Sequence, residues 1–107
     1  NEMKMIRAII RPEKEEDVIK ELETAGFPSV TKMDVFGRGK QKGIQVGTAV
    51  YDELAKSMIM VVVDDAMVDK ASGAIALAAK TGNYGDGKIF VSPVEMVSTI
   101  RTGKMGI

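Results

Sequence analysis

Cysteine and histidine are both missing from this chain of 107 residues. Without cysteine there is no disulfide, no thiolate nucleophile and no Cys-type zinc site. Without histidine the chain lacks the commonest general base near neutral pH and the commonest metal ligand. Neither a Ser-His-Asp nor a Cys-His arrangement can be assembled from it. Carboxylates, lysines and a bound metal remain as means of catalysis. Aromatic residues are few, three Phe and two Tyr, and none forms a stacking platform on a strand, which argues against an RNA-recognition sheet. Fifteen basic residues balance fifteen acidic ones, which excludes the broad positive field of a non-specific nucleic-acid binder but leaves local basic patches open. No apolar run is longer than that of Met58 to Val63, far short of the roughly 18–20 residues that span a bilayer. No charged-then-apolar signal segment opens the chain. The expectation is a cytoplasmic protein with no membrane insertion and no nucleic-acid partner.

What is present is ordinary globular composition, 45% hydrophobic and 28% charged, at a length typical of one domain. Lys4 to Ile10 reads as a strand stopped by Pro12. Glu13 to Ala25 reads as a helix, with Val18, Ile19, Leu22 and Ala25 on one stripe and Gly26 as its terminator. The acidic run Glu13 to Asp17 complements the helix macrodipole. Ser29 to Phe36 is a second strand, and a long loop follows from about Gly37 to Leu54. Ser57 to Val63 is a third strand. Asp64 and Asp65 are N-cap candidates for a helix from Ala66 to Lys80 bearing Val68, Ala71, Ile75 and Ala78 on one face. Thr81 to Gly87 is a glycine-punctuated turn before a fourth strand, Lys88 to Val91. The tail, 94–107, has a strand-like piece around Val97 to Ile100 and then a flexible end with Gly103 and Gly106.

Two strand–helix–strand units in series fold into a ferredoxin-like α+β sandwich, a four-stranded antiparallel sheet with both helices on one face. Alternation in the third strand puts Ile59, Val61 and Val63 on one face and Met58, Met60 and Val62 on the other. Two helices cover only one of these faces. A closed homo-oligomer would bury the second; the alternative is a monomer whose tail folds over the sheet. The methionines are explained as packing residues of a core or subunit interface.

Two segments could carry chemistry. Gly37-Arg38-Gly39-Lys40-Gln41-Lys42-Gly43 combines three glycines and three cations with no carboxylate. Thr81-Gly82-Asn83-Tyr84-Gly85-Asp86-Gly87-Lys88 is a second glycine loop. Glycines let backbone amides approach a ligand, and Lys or Arg supplies charge, a combination suited to phosphate or carboxylate. Neither is a Walker A loop nor a GxGxxG fingerprint. A solvated loop with incidental lysines is the plainer reading of either segment alone, but the two loops together with Arg101 favour an anion site.

At these loops the chain resembles the PII signal-transduction proteins. The resemblance covers nearly all 107 residues. It is carried by Ile9-Ile10-Arg11-Pro12, by Gly37 to Gly43, by Thr81-Gly82-Asn83-Tyr84-Gly85-Asp86-Gly87-Lys88-Ile89-Phe90-Val91 and by Ile100-Arg101-Thr102-Gly103. It implies a trimer binding ATP or ADP between subunits, with 2-oxoglutarate and Mg²⁺ joining the ATP form. The long loop, about 37–55, would change conformation and dock on a target. By the same analogy Gly37, Gly39, Gly85, Gly87, Lys88 and Arg101 surround the nucleotide phosphates, Asp86 belongs to the same nucleotide site, and Thr31 and Val62 lie at the base and sugar. Gly39, Lys40, Gln41, Lys42 and Lys56 would hold 2-oxoglutarate, with Gln41 also the metal ligand.

The chain departs from the common pattern in its shorter loop, which lacks the usual nucleotidylated tyrosine (Tyr51 falls near the far base) and any RxS-type phosphorylation site. Thr99 stands where the family often has an arginine, which leaves Arg101 alone. The segments GRGKQKG, VGTAVYDELAK and TIRTGKMGI look most like the nitrogen-fixation subgroup, which implies nitrogenase as target and a homotrimer or a mixed assembly with a sister PII chain. The alternatives are a general PII protein acting on an ammonium transporter, a small phosphate-handling enzyme, and a purely structural oligomerisation unit.

Overall fold

The structure, a computed structural model, describes residues 2–38 and 53–107. Its elements are β1 (Met3–Ile10), α1 (Glu15–Thr24), β2 (Thr31–Gly37), β3 (Leu54–Asp64), α2 (Val68–Ala79) and β4 (Gly87–Val94). The sheet order is β2-β3-β1-β4, with each neighbouring pair antiparallel. This is the expected ferredoxin-like sandwich. The core lies between helices and sheet: Ile6, Ala8 and Ile10 of β1, Ile59, Val61 and Val63 of β3, Val18 and Leu22 of α1, and Ala71, Ile75 and Ala79 of α2 are all buried.

Several boundaries differ from the sequence reading. Both helices open with a single 3-10 turn, Pro12–Lys14 and Asp65–Met67. Asp64 flanks the second of these in an extended conformation and its side chain caps nothing; the Asp65 backbone N–H instead donates to Glu2 O at 2.9 Å. Strand β3 is longer than expected because the ladder with β2 continues as far as Gly37 opposite Leu54. Strand β4 runs through Pro93 to Val94, which an edge strand tolerates since its outer donors need no partner. Helix α1 ends as expected at Gly26, φ +100°, with Phe27 N–H donating to Leu22 O and Gly26 N–H to Glu23 O, a Schellman closure. The tail is folded rather than a loose end. Ser98 and Met105 form a bridge, Thr99 N–H donates to Lys104 O, and Gly106 N–H donates to Val97 O.

Register assigns the second face of the sheet. Met5, Arg7 and Ile9 stand beside Val62, Met60 and Met58, which stand beside Thr31 and Met33 across β2, while Phe90 neighbours Arg7 from β4. No helix of the described residues covers this apolar face, and Phe90 is 49% exposed. At one side of this face the tail's Val97 and Ile107 stand near Met60 and Val62, while Ile100 and Met105 are exposed.

Candidate functional site

The glycine loop is built around one carboxylate. Asp86 accepts from Thr81 N–H and Gly82 N–H, each at 2.8 Å, from the Thr81 hydroxyl, and from Arg11 Nε at 3.1 Å. Arg11 Nη2 also donates to Tyr84 O at 2.7 Å. A short acidic side chain bonding nearby backbone amides is the usual way a turn folds on itself. Here an arginine from the end of β1 locks the turn to the sheet. The Thr81 hydroxyl and amide, then Gly82 N–H and the Arg11 guanidinium, hold the Asp86 carboxyl well below the usual carboxylate range. Gly87 begins β4 at φ +108°, and a Cβ there would lie 1.7 Å from Ile9 O. Only glycine lets the loop re-enter the sheet at that point.

Lys56 closes on the same loop. By alternation its side chain leaves β3 on the face opposite buried Ser57, and its Nζ donates to Gly85 O at 2.6 Å. Gly37 lies beside the Lys56 stem, since a Cβ on Gly37 would meet Lys56 Cγ at 3.8 Å. Lys88 pairs across the ladder with Ile9, and its side chain makes no hydrogen bond or ion pair among the described residues. Gly37, Lys56, Gly85, Asp86, Gly87 and Lys88 therefore gather at one end of the sheet.

The other expected residues stand elsewhere. Thr31 and Val62 line a cleft of about 510 Å³ with Gly26 to Ser29, Met60, Val97 and Ile107. Arg101 is exposed on the tail hairpin. That hairpin follows Val94, the far end of β4 from Gly87, roughly 24 Å away at the rise of a β-strand. One chain thus carries two separate groups, one around Lys56 and the glycine loop, and a second around Thr31, Val62 and the tail. Gly39, Lys40, Gln41 and Lys42 lie outside the described residues, as do Tyr51 and the rest of 39–52. Among the described residues no group of three or more acidic side chains could hold a metal, and no helix is long and apolar enough to cross a membrane.

Arg11 and Glu15 have no site role in the sequence reading. The signal for Arg11 was faint: a cation at a strand end just before Pro12, facing an aspartate 75 positions later.

The match to the family model described as "Nitrogen regulatory protein P-II" spans residues 3–104. The chain belongs to the P-II family. It is 51% identical over 105 residues to "Nitrogen fixation nifHD region GlnB-like protein 1" of Methanothermococcus thermolithotrophicus, covering 98% of this chain and 100% of the relative. It is 58% identical, with the same coverage, to "Nitrogen fixation nifHD1 region GlnB-like protein 1" of Methanosarcina barkeri. The crystal structure of Arabidopsis thaliana PII bound to citrate superposes with a TM-score of 0.82 at 35% identity, covering 97% of this chain and 85% of that one. P-II proteins are regulators, and this P-II chain groups with relatives named for nitrogen-fixation regions.

Proposed function

We propose that this protein is a nitrogen-regulatory sensor that binds ATP or ADP and 2-oxoglutarate, and that it controls nitrogenase through its long loop, in the cytoplasm and without catalysis of its own. The observation that carries this reading is the cluster of Lys56, Lys88 and the Asp86-braced glycine loop at one sheet end, a cationic cradle with glycine backbone on which a polyanion can sit. Gly85, Gly87 and Lys88, with Gly37 and Gly39, would take the phosphates; Asp86 would act through the loop it holds. Lys56, with Gly39, Lys40, Gln41 and Lys42, would take 2-oxoglutarate, and the Gln41 amide oxygen would supply a ligand to Mg²⁺ in the ATP form. The names of the nifHD-region relatives support nitrogenase as the target.

The separation of the two groups supports a trimer. Thr31, Val62 and Arg101 of one subunit complete the cradle of the next, and the apolar sheet face of Met5, Met33, Met58, Met60 and Phe90 is buried in the middle. A mass three times the 11.5 kDa chain is expected by light scattering. Met58→Asp, which puts a charge on that face, is expected to release monomers. A monomeric native protein would remove this account. A sister chain of the same fold could stand in for one of the copies.

Calorimetric titration of 2-oxoglutarate tests the sensor itself. Binding is expected with MgATP and not with ADP or without nucleotide, a coupling of typically about 1–3 kcal/mol that linkage makes reciprocal. Lys56→Ala should weaken 2-oxoglutarate about tenfold or more, the loss of one charge-assisted contact, while ATP affinity stays within about twofold. An equal loss of both ligands would take Lys56 out of the effector site. Sustained ATP hydrolysis abolished by Lys88→Ala would favour the enzyme reading instead.

A further inference from the structure

The corner between β1 and α1 carries two anchors four residues apart. Arg11 holds the glycine loop through Asp86 and Tyr84 O. Glu15, in the first turn of α1, accepts from Ser57 Oγ at 2.8 Å and from Lys32 Nζ at 3.0 Å. Its acidic neighbours Glu16 and Asp17 are exposed, so macrodipole complementarity alone does not account for Glu15. Ser57 is the one buried polar residue among those described, 1% exposed. Lys32 and Ser57 lie on the helix side of β2 and β3, on the two strands whose shared ladder ends at Gly37 and Leu54.

Ser57 follows Lys56 directly. Because strand side chains alternate, tethering the Ser57 hydroxyl toward α1 holds Lys56 on the opposite face, toward Gly85. A closed circuit results: Arg11 to the glycine loop, Gly85 O to Lys56, Ser57 to Glu15, and the short 3-10 turn back to Arg11. Lys56 is the third residue of β3, and strand ends are where ladders fray first.

We infer that Glu15 is a positioning residue for Lys56, anchoring the Gly37 and Leu54 ends of β2 and β3 to the same corner that holds the glycine loop. Its consequence for the effector rests on the reading of Lys56 given above. Hydrogen exchange on the full-length protein, paired with ligand titration, tests it. In Glu15→Ala the amides of Ala55 to Ser57 should exchange about tenfold faster while those of Ile59 to Val63 change less than about twofold. Affinity for 2-oxoglutarate with MgATP should fall about five- to tenfold, with ADP affinity unchanged. Glu15→Gln, whose amide oxygen can still accept from Ser57, should recover most of both. Lys32→Ala, an exposed site, should show the same pattern more weakly, and it serves if Glu15→Ala does not fold.

A uniform rise in exchange across β1 and β3 would mean global destabilisation and would overturn the inference, as would a loosened strand end with unchanged 2-oxoglutarate affinity. Native protein that binds no 2-oxoglutarate, yet shows the local exchange pattern on substitution, would remove the sensor reading and leave the anchor standing.

Discussion

Gly87→Ala is expected to be the most damaging small substitution among the described residues, lowering the melting temperature by more than about 15 °C. An added Cβ would sit 1.7 Å from Ile9 O, 2.8 Å from Ile9 C and 3.2 Å from Ile10 Cα. All three atoms are backbone, in the ladder that joins β1 to β4, so no rotamer change can make room. Relief requires the first pairs of that ladder to open, at the point where the glycine loop enters the sheet. The φ of +108° adds the left-handed penalty of about 1–2 kcal/mol. The combined loss of about 4 kcal/mol or more is a large part of the roughly 5–15 kcal/mol that holds a domain folded. Gly82→Ala is the control. It has a φ of +90° but open space around the new methyl, so only the conformational cost of about 1–2 kcal/mol applies. Thermal melts of the two variants decide the matter; equal losses would show that the clash with β1 is not what demands glycine.

Asp86→Ala is expected to weaken ATP and ADP by at least about tenfold, the effect of misplacing the cradle rather than of losing a direct contact. Four donors from Thr81, Gly82 and Arg11 converge on the two oxygens of this carboxylate. Asp86→Asn should do little better, because its NH2 group replaces an acceptor where only donors arrive. Arg11→Ala should give a milder loss, since Thr81 and Gly82 still hold Asp86. Calorimetry with ADP measures all three; an unchanged affinity in Asp86→Ala would mean that the loop keeps its shape without its brace.

The same carboxylate sets a pH dependence. Its folded pKa lies below the unfolded value, so the folded state binds fewer protons. The stabilisation is complete above the unfolded pKa, near about pH 4. It is lost as pH falls through the folded value. Wild type should therefore lose more stability between neutral and strongly acid pH than Asp86→Asn does, and acid titration followed by circular dichroism reads the difference.

Elements and faces were legible in the sequence because their signals are local. The alternation of Ile59, Val61 and Val63 against Met58, Met60 and Val62 follows from the two-residue period of a strand, and the uncovered apolar face was visible before any coordinates. Gly26 was legible as a helix terminator because helix termination is a short-range problem. Boundaries were less so. Strand β3 gains Leu54 to Lys56 only because β2 lies alongside it, and β4 passes through Pro93 only because it is at an edge. The 3-10 turns before both helices displaced the expected capping role of Asp64 and Asp65.

The sequence by itself determined the fold class, the glycine turn before β4 and the family, since each is written in periodicity or in contiguous motifs. The tertiary structure alone decided which charges meet. Arg11 and Asp86 are 75 positions apart, and Glu15 and Ser57 are 42 apart. Neither pair shares a motif, and each side chain alone reads as an ordinary polar residue of a strand end, helix or loop. Folding also split the expected site residues, with Lys56 and the glycine loop at one end of the sheet and Arg101 on the tail that follows the other end of β4. Chain order cannot convey that separation, because β4 puts Gly87 and Val94 only seven positions apart in sequence and at opposite ends of the sheet.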